Sequence, residues 1–84
     1  MKDDRGLYYY PYPQSKGVRM YVRRFGDNIE FRMWKRDDPN MWEEHGWISH
    51  EAVRQAAKRF EKKAFNPKHA YDVEVARALL DENR

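Results

Sequence analysis

Arginine and aromatic side chains alternate with apolar residues in GVRMYVRRFGDNIEFRMWKR, residues 17–36. Guanidinium groups pair with phosphates, and flat aromatic rings stack on nucleobases. The residues of this set are Arg19, Tyr21, Arg23, Arg32, Trp34 and Arg36. If one rigid element holds them on one side, they form an array that could bind a nucleic acid, either DNA or RNA.

The same array also has two purely structural interpretations. Arginine paired with glutamate, or lying over tryptophan, stabilises a sheet by only about 0.2–1 kcal/mol and keeps its face soluble. Alternatively, the tyrosine-rich N-terminal stretch folds over this face and buries it. The path of residues 1–16 decides whether the face is open, and the sequence alone leaves that path undetermined.

A second basic group lies farther along the chain. Arg54, Lys58 and Lys62 recur every four residues, and positions 54–68 hold six basic residues and one acidic residue. On a helix this spacing gives one basic face. Such a face could bind a phosphate backbone or an acidic protein, and its alternative interpretation is an ordinary solvated helix surface.

Residues suited to catalysis or metal binding are few. The segment HEAVR, residues 50–54, lacks the second histidine that a zinc-protease helix carries four positions on. Cysteine and threonine are absent, and Ser15 and Ser49 are the only serines. With no serine-centred nucleophile motif and no glycine-rich phosphate loop, we predict that the protein is not an enzyme and needs no metal or cofactor.

The alternation in residues 17–36 predicts a β-hairpin with one apolar and one polar face. Gly26-Asp27 suits a two-residue turn, which fixes the pairing register. The predicted pairs are Val22–Phe31 and Met20–Met33 on the apolar face, and Arg23–Glu30, Tyr21–Arg32 and Arg19–Trp34 on the other. Arg24, opposite Ile29, is the one polar residue on the apolar face.

The segment after the hairpin is predicted to turn and then form a third strand. DDPN, residues 37–40, is typical of a turn. MWEEHGWIS, residues 41–49, is interpreted as a shorter strand. Trp42 and Trp47 are five positions apart, so on a strand they would point to opposite faces unless Gly46 adds a bulge.

Two amphipathic helices are predicted in the second half of the chain. Ser49 would cap the first, whose apolar positions are Val53, Ala56, Ala57, Phe60 and Ala64. The first helix is predicted to end before Pro67. Asn66 or Asp72 would cap the second helix, whose apolar positions are Val75, Ala76, Leu79 and Leu80.

The composition limits the classes of protein to consider. The 84 residues carry a net charge of +3 and 15% aromatic residues, which argues against disorder. No apolar run approaches the roughly 20 residues that span a bilayer. The start, MKDDRG, does not resemble a signal peptide. We therefore expect a cytoplasmic protein without membrane contact.

The run GVRMYVRRFGDNIEFRMWKRDDPNMWEEHGWISHEAVRQAAKRFE, about residues 17–62, resembles two families in the order of its elements. These are the AP2-type plant DNA-binding domains and the arm-binding domains of tyrosine integrases. The resemblance implies a sheet that enters the DNA major groove, with Arg19, Arg23, Arg32 and Trp34 as readers. The acidic DDPN and WEE segments and the second helix depart from that pattern.

The sequence thus predicts an α+β fold. It would consist of a three-stranded antiparallel sheet, in β-β-β-α-α order, with two helices packed on one face. Residues 1–16 would be an extended aromatic and proline-rich segment, and residues 17–84 a single small domain. The predicted function is that of a non-enzymatic module that binds DNA or RNA through the hairpin's outer face, helped by the basic helix. The alternative is a module for protein–protein interaction or homodimerisation.

Overall fold

Five antiparallel strands lie in chain order across one sheet, β1-β2-β3-β4-β5. The structure is a computed structural model that describes residues 1–59 and 71–82, with the backbone alone described at 57–59. The strands are β1 (Lys2–Asp3), β2 (Gly6–Tyr9), β3 (Val18–Phe25), β4 (Asn28–Lys35) and β5 (Ile48–Ser49). The helices within the described residues are α1 (Asn40–Glu44), α2 (His50–Arg59) and α3 (Val73–Glu82).

The β3–β4 hairpin is the centre of the sheet, and its predicted register is confirmed. Val22 faces Phe31 and Met20 faces Met33 on one side, while Tyr21 faces Arg32 on the other. Gly26 adopts a φ of 61°, and no residue other than glycine has a positive φ among those described. A positive φ at the first turn position alone is typical of a type II′ turn, whose twist matches that of the flanking strands.

The prediction of three strands and two helices is wrong. The structure has five strands and three helices in its described part. The N-terminal stretch supplies two of the extra elements: β1 pairs with β2, and β2 pairs with the outer edge of β3. The first residues are therefore part of the sheet. Asp4-Arg5 form the turn between β1 and β2, and Gly6 follows with a φ of 128°.

The predicted third strand is mostly replaced by a short helix. Residues 40–44 form α1, and only Ile48 and Ser49 extend along β4 as β5. Pro39 has a helical φ of −64° at the helix N-terminus, and Glu43 lies in the first turn. Proline at a helix start and an acidic residue near its positive end both favour a helix.

The apolar face of the sheet holds the hydrophobic core. Met20, Val22, Ile29 and Phe31 are buried there together with Tyr9 of β2. Helices α2 and α3 cover this face, contributing Val53 and Ala76 as their buried residues. This is the predicted arrangement of helices on one face of an antiparallel sheet.

The two helix caps and Arg24, the polar residue on the apolar face, each form a specific contact. The Ser49 hydroxyl accepts a hydrogen bond from the Ala52 amide at 3.1 Å, as predicted for an N-cap. Asp72 accepts one from the Glu74 amide at 3.0 Å and so caps α3. Arg24 reaches Asp81 of α3 at 3.5 Å.

The apolar stripe predicted for α3 needs one correction. Ala76 is buried and Leu79 and Leu80 pack on the core, but Val75 is exposed and Val73 packs in its place. Several other predictions concern residues outside those described: Asn66 as a cap, Pro67 as the end of α2, and Phe60 and Ala64 as core positions.

The helices of the described residues were also compared with the length and apolarity of membrane spans. None of them is long and apolar enough to cross a membrane.

Candidate functional site

The face of the sheet opposite the core is a layer of arginines and aromatic rings, which we call the arginine–aromatic face. Its strand residues come from β2, β3 and β4, and further side chains come from the β1–β2 turn, from α1 and from the segment before β5. Its members are Arg5, Tyr8, Tyr10, Lys16, Arg19, Tyr21, Arg23, Glu30, Arg32, Trp34, Arg36, Trp42 and Trp47.

One half of this face, around Tyr21, is covered by α1. Tyr21 is 0% exposed even though it lies opposite the hydrophobic core. The Trp42 ring of α1 packs on Tyr21 at 5.1 Å between centroids, and the Arg32 guanidinium lies 4.0 Å from the Trp42 centroid. Arg32 also donates hydrogen bonds to the Trp42 carbonyl oxygen, from Nε at 3.0 Å and from Nη2. Arg32 thus holds α1 against the sheet.

The same half continues to the hairpin end through Arg23. Its Nε donates to Glu30 Oε1 at 2.7 Å, the cross-strand pair that the register predicts. The Arg23 guanidinium also lies 4.4 Å from the Trp47 ring centroid and 5.0 Å from that of Phe25. Trp42 and Trp47 contact each other edge-on, so both lie on this face. Opposite faces were expected for a strand, and neither residue lies on one.

Arg19 occupies the middle of the face and is already bound on several sides. Its Nη1 donates to Asp3 Oδ2 at 2.9 Å and to the Tyr21 hydroxyl oxygen at 3.3 Å. The rings of Tyr8 and Trp34 lie 4.8 Å and 4.9 Å from its guanidinium. The Arg19 Nε is buried without a hydrogen-bond partner among the described residues. Arg19 therefore joins β1, β2, β3 and β4 into one layer.

Asp3, the acidic partner of Arg19, has a shifted pKa. Partial burial raises the pKa of the Asp3 carboxyl, but hydrogen bonds from Tyr21 and the Arg5 amide and the charge of Arg19 outweigh it. The pKa of Asp3 therefore lies below its ordinary value of 3.8. Desolvation, followed by the hydrogen bond to Asp3, raises the pKa of the Tyr21 phenol. The pair is a carboxylate bound to a neutral phenol.

The other half of the face, which we call the open half, carries cations that have no acidic partner among the described residues. Arg5, Lys16 and Arg36 are exposed, and none forms an ion pair with a described residue. Lys16 Nζ lies 4.3 Å from the Tyr10 ring centroid. A Cβ built on Gly17 would lie 3.3 Å from Arg36 Nη2, so the Arg36 guanidinium lies across Gly17.

Half-buried aromatic rings connect these free cations. Tyr10 contacts Tyr8 edge-on with centroids 5.7 Å apart, and Arg19 lies between Tyr8 and Trp34. The Arg5 guanidinium lies at the border with the covered half, 5.9 Å from the centroid of Trp34 and 5.7 Å from that of Trp42. The open half is therefore a continuous strip of rings edged by positive charge.

The predicted site residues separate into distinct groups. Arg19, Trp34 and Arg36 lie in or beside the open half, whereas Arg23 and Arg32 lie in the covered half with protein partners. Tyr21 is buried, so the expected stacking of Tyr21 on a base does not fit the structure. The N-terminal segment extends the sheet edge and also covers part of this face: Tyr8 and Asp3 contact Tyr21, as does Trp42 of α1.

The predicted basic helix is described only in part. Arg54 is exposed and pairs with Glu51 at 3.3 Å. The side chain of Lys58 and all of Lys62 lie outside the described residues. Arg54 lies on α2, which packs on the opposite face of the sheet, so it does not extend the open half.

Four residues of the open half, Arg5, Tyr8, Tyr10 and Lys16, were not among the predicted site residues. Tyr8 and Tyr10 alternate with Leu7 and Tyr9, a short strand pattern that ends at Pro11. The preceding Asp-Asp-Arg-Gly is typical of a turn. A strand and a turn at these positions would bring Arg5, Tyr8 and Tyr10 to this face, whereas no such signal marks Lys16.

Comparison of the chain with protein-family models, with curated proteins and with solved structures finds no match in any of the three. The resemblance to AP2-type and integrase arm-binding domains implied three strands leading directly into a helix. That order is wrong, because α1 separates β4 from β5.

Proposed function

We propose that the protein is a small non-enzymatic module that binds nucleic acid through the open half of the arginine–aromatic face. The observation that carries the proposal is the presence of Arg5, Lys16 and Arg36 beside half-buried rings, exposed and without ion-pair partners among the described residues. Free cations contact phosphates, and the rings contact sugars and bases.

The charge distribution favours the open half over the covered half as the binding surface. Arg23 and Arg32 already donate to Glu30 and to the Trp42 carbonyl, so a phosphate would have to displace those acceptors. The exposed Glu43 and Glu44 of α1 add negative charge to the covered half. A polyanion is therefore attracted to Arg5, Lys16 and Arg36 more than to the arginines of the covered half.

The central test measures binding of short mixed-sequence oligonucleotides by fluorescence anisotropy across a salt series. Three phosphate contacts predict that log K falls against log salt with a slope of about −2 to −3. The variant Lys16→Gln/Arg36→Gln removes two of the three cations and should weaken binding about tenfold and bring the slope to about −1.

A matched control variant also loses two positive charges, but from surfaces outside the open half. Arg24→Gln/Arg77→Gln removes two exposed arginines, from the hairpin end and from α3, and should leave affinity within about twofold. Equal weakening by both double variants would show that net charge alone drives binding. Absence of salt-sensitive binding in the unmodified protein would contradict the proposal outright.

A protein-binding role is the second candidate, and one observation favours it. Phe25 at the hairpin end is 61% exposed, with the Arg23 guanidinium beside its ring. An exposed aromatic next to arginine is a common anchor at protein interfaces. Dimerisation through strand edges is less well supported, because edge strands β1 and β5 have two residues each. Sedimentation analysis of the protein and of Phe25→Ser would detect a self-association that depends on this ring.

A further inference from the structure

We infer that the nucleic acid bound by the open half is single-stranded, with one unpaired base stacked on Trp34. The inference rests on the proposed function and narrows its ligand. It follows from three features of the arginine–aromatic face. These are the position of α1, the hydrogen bonds that Arg23 and Arg32 already form, and the long contact between Arg5 and Trp34.

Helix α1 prevents the hairpin from entering a duplex groove. A two-stranded ribbon reads DNA by lying in the major groove, which is about 12 Å wide. On this protein Trp42 and the rest of α1 stand on the ribbon's outer face, over Tyr21 and Arg32. The exposed Glu43 and Glu44 on the same helix would meet the phosphates that flank the groove.

The arginines that would have to read base pairs are also unavailable. Arg32 is bound to the Trp42 carbonyl and stacked on its ring, and Arg23 is bound to Glu30. Base-pair recognition uses free, bidentate guanidinium groups. On this face, strands β3 and β4 therefore lack free guanidinium groups for duplex readout, while the rings and the edge cations that a single strand needs remain.

Trp34 is the ring best placed to accept a base. It is half-buried, with the Arg19 guanidinium at 4.9 Å and the Arg5 guanidinium at 5.9 Å from its centroid. Arg19 is fixed by Asp3, whereas Arg5 is exposed in a two-residue turn, and its contacts with Trp34 and Trp42, at 5.9 Å and 5.7 Å, both lie close to the outer limit of about 6 Å. A base can therefore replace Arg5 on the indole, and Arg5 then contacts the neighbouring phosphate.

The deciding experiment is a competition assay on the full chain. A labelled single-stranded oligonucleotide is displaced by unlabelled single-stranded DNA, single-stranded RNA or duplex DNA of the same sequence. We expect either single strand to compete at least about tenfold better than the duplex. The ratio between the RNA and DNA arms then identifies which of the two sources of an unpaired base is preferred.

Two matched variants locate the stacked base. Trp34→Leu should weaken single-strand binding about tenfold, whereas Trp47→Leu, in the covered half, should change it less than about twofold. Circular dichroism checks that both variants fold. If Trp34→Leu does not fold, the indole N–H resonance of Trp34 in the unmodified protein serves instead. It should move on binding a single strand and stay in place with inorganic polyphosphate.

The outcomes separate this inference from the proposed function. Equal competition by duplex and single strands, with salt-sensitive binding intact, overturns the single-strand inference and leaves the proposed function standing. A Trp34 resonance that moves equally with polyphosphate overturns the base contact. Absence of binding to all three polymers overturns both proposals together.

Discussion

The two faces of the sheet are buried by different means. On the core face, Met20 and Phe31 are covered by helices through apolar packing. On the arginine–aromatic face, Tyr21 is equally buried, but its neighbours are Trp42, Tyr8 and hydrogen-bonded polar groups. An alternating strand can therefore be buried on both sides, even where one set of positions is rich in arginine.

The difference also explains why only part of the second face is a candidate site. Most arginines on that face already have partners within the protein: Arg19 pairs with Asp3, Arg23 pairs with Glu30, and Arg32 donates to the Trp42 carbonyl. Positive charge in the sequence is thus a poor guide to positive charge available for binding.

The largest effect is expected on the core face. Phe31→Ala removes a fully buried ring and should lower the free energy of unfolding by about 3–5 kcal/mol. A domain of this size has a margin of about that amount, so the variant should be largely unfolded. Circular dichroism and urea titration measure this, with Phe25→Ala at the exposed hairpin end as control. A well-folded Phe31→Ala protein would show that the faces are assigned wrongly.

A smaller loss is expected when α1 is released from the sheet. Arg32→Gln removes the charged donor to the Trp42 carbonyl and the stacking on its ring, at a cost of about 1.5–3 kcal/mol. Urea titration should detect the loss, while the affinity of the folded fraction for oligonucleotides stays within about twofold. A large drop in affinity with unchanged stability would mean that Arg32 contacts the ligand after all.

A still smaller loss of stability is expected when the buried Tyr21 hydroxyl is removed. Tyr21→Phe keeps the ring but leaves Asp3 without one of its donors, which should cost about 1–2 kcal/mol. Tyr12→Phe, at an exposed position, is the matched control and should be neutral. The shift in the urea midpoint compares the two variants. Equal midpoints would indicate that Asp3 and Tyr21 do not interact in solution.

The smallest effect concerns the pH dependence of the Asp3 contact. The pKa of Asp3 is lower in the folded chain than its ordinary value of 3.8, so its stabilising effect is fully present above 3.8. That effect is lost as the pH falls through the lower, folded pKa. The stability difference between the protein and Asp3→Asn should therefore be constant near neutral pH and shrink below about pH 4. A difference that persists in acid would assign the effect to another group.

Parts of the fold follow directly from sequence and others do not. The β3–β4 register follows from period-two alternation around Gly26-Asp27, and the caps at Ser49 and Asp72 from local hydrogen-bonding chemistry. Helix α1 was missed because its five residues are too few for a helical period to show. β1 and β2 were missed because they are short and are followed by two prolines.

The candidate site shows a similar limit. Alternation predicted which side chains share a face, including Arg19 beside Trp34. It did not predict which cations are free, because that depends on partners distant in sequence. Asp3 is 16 positions from Arg19, and the Trp42 carbonyl is 10 positions from Arg32. Such contacts depend on the placement of β1 and α1, the two elements that sequence patterns did not reveal.

The most direct test of the central claim is an amide and indole shift titration by NMR with a single-stranded oligonucleotide at low and moderate salt. The account predicts shifts at Arg5, Gly17, Trp34 and Arg36 that weaken as salt rises. The covered half, represented by Trp47, should stay unchanged. Shifts centred on Arg23, Phe25 and Trp47, or no shifts at high micromolar ligand, would contradict the assignment of binding to the open half.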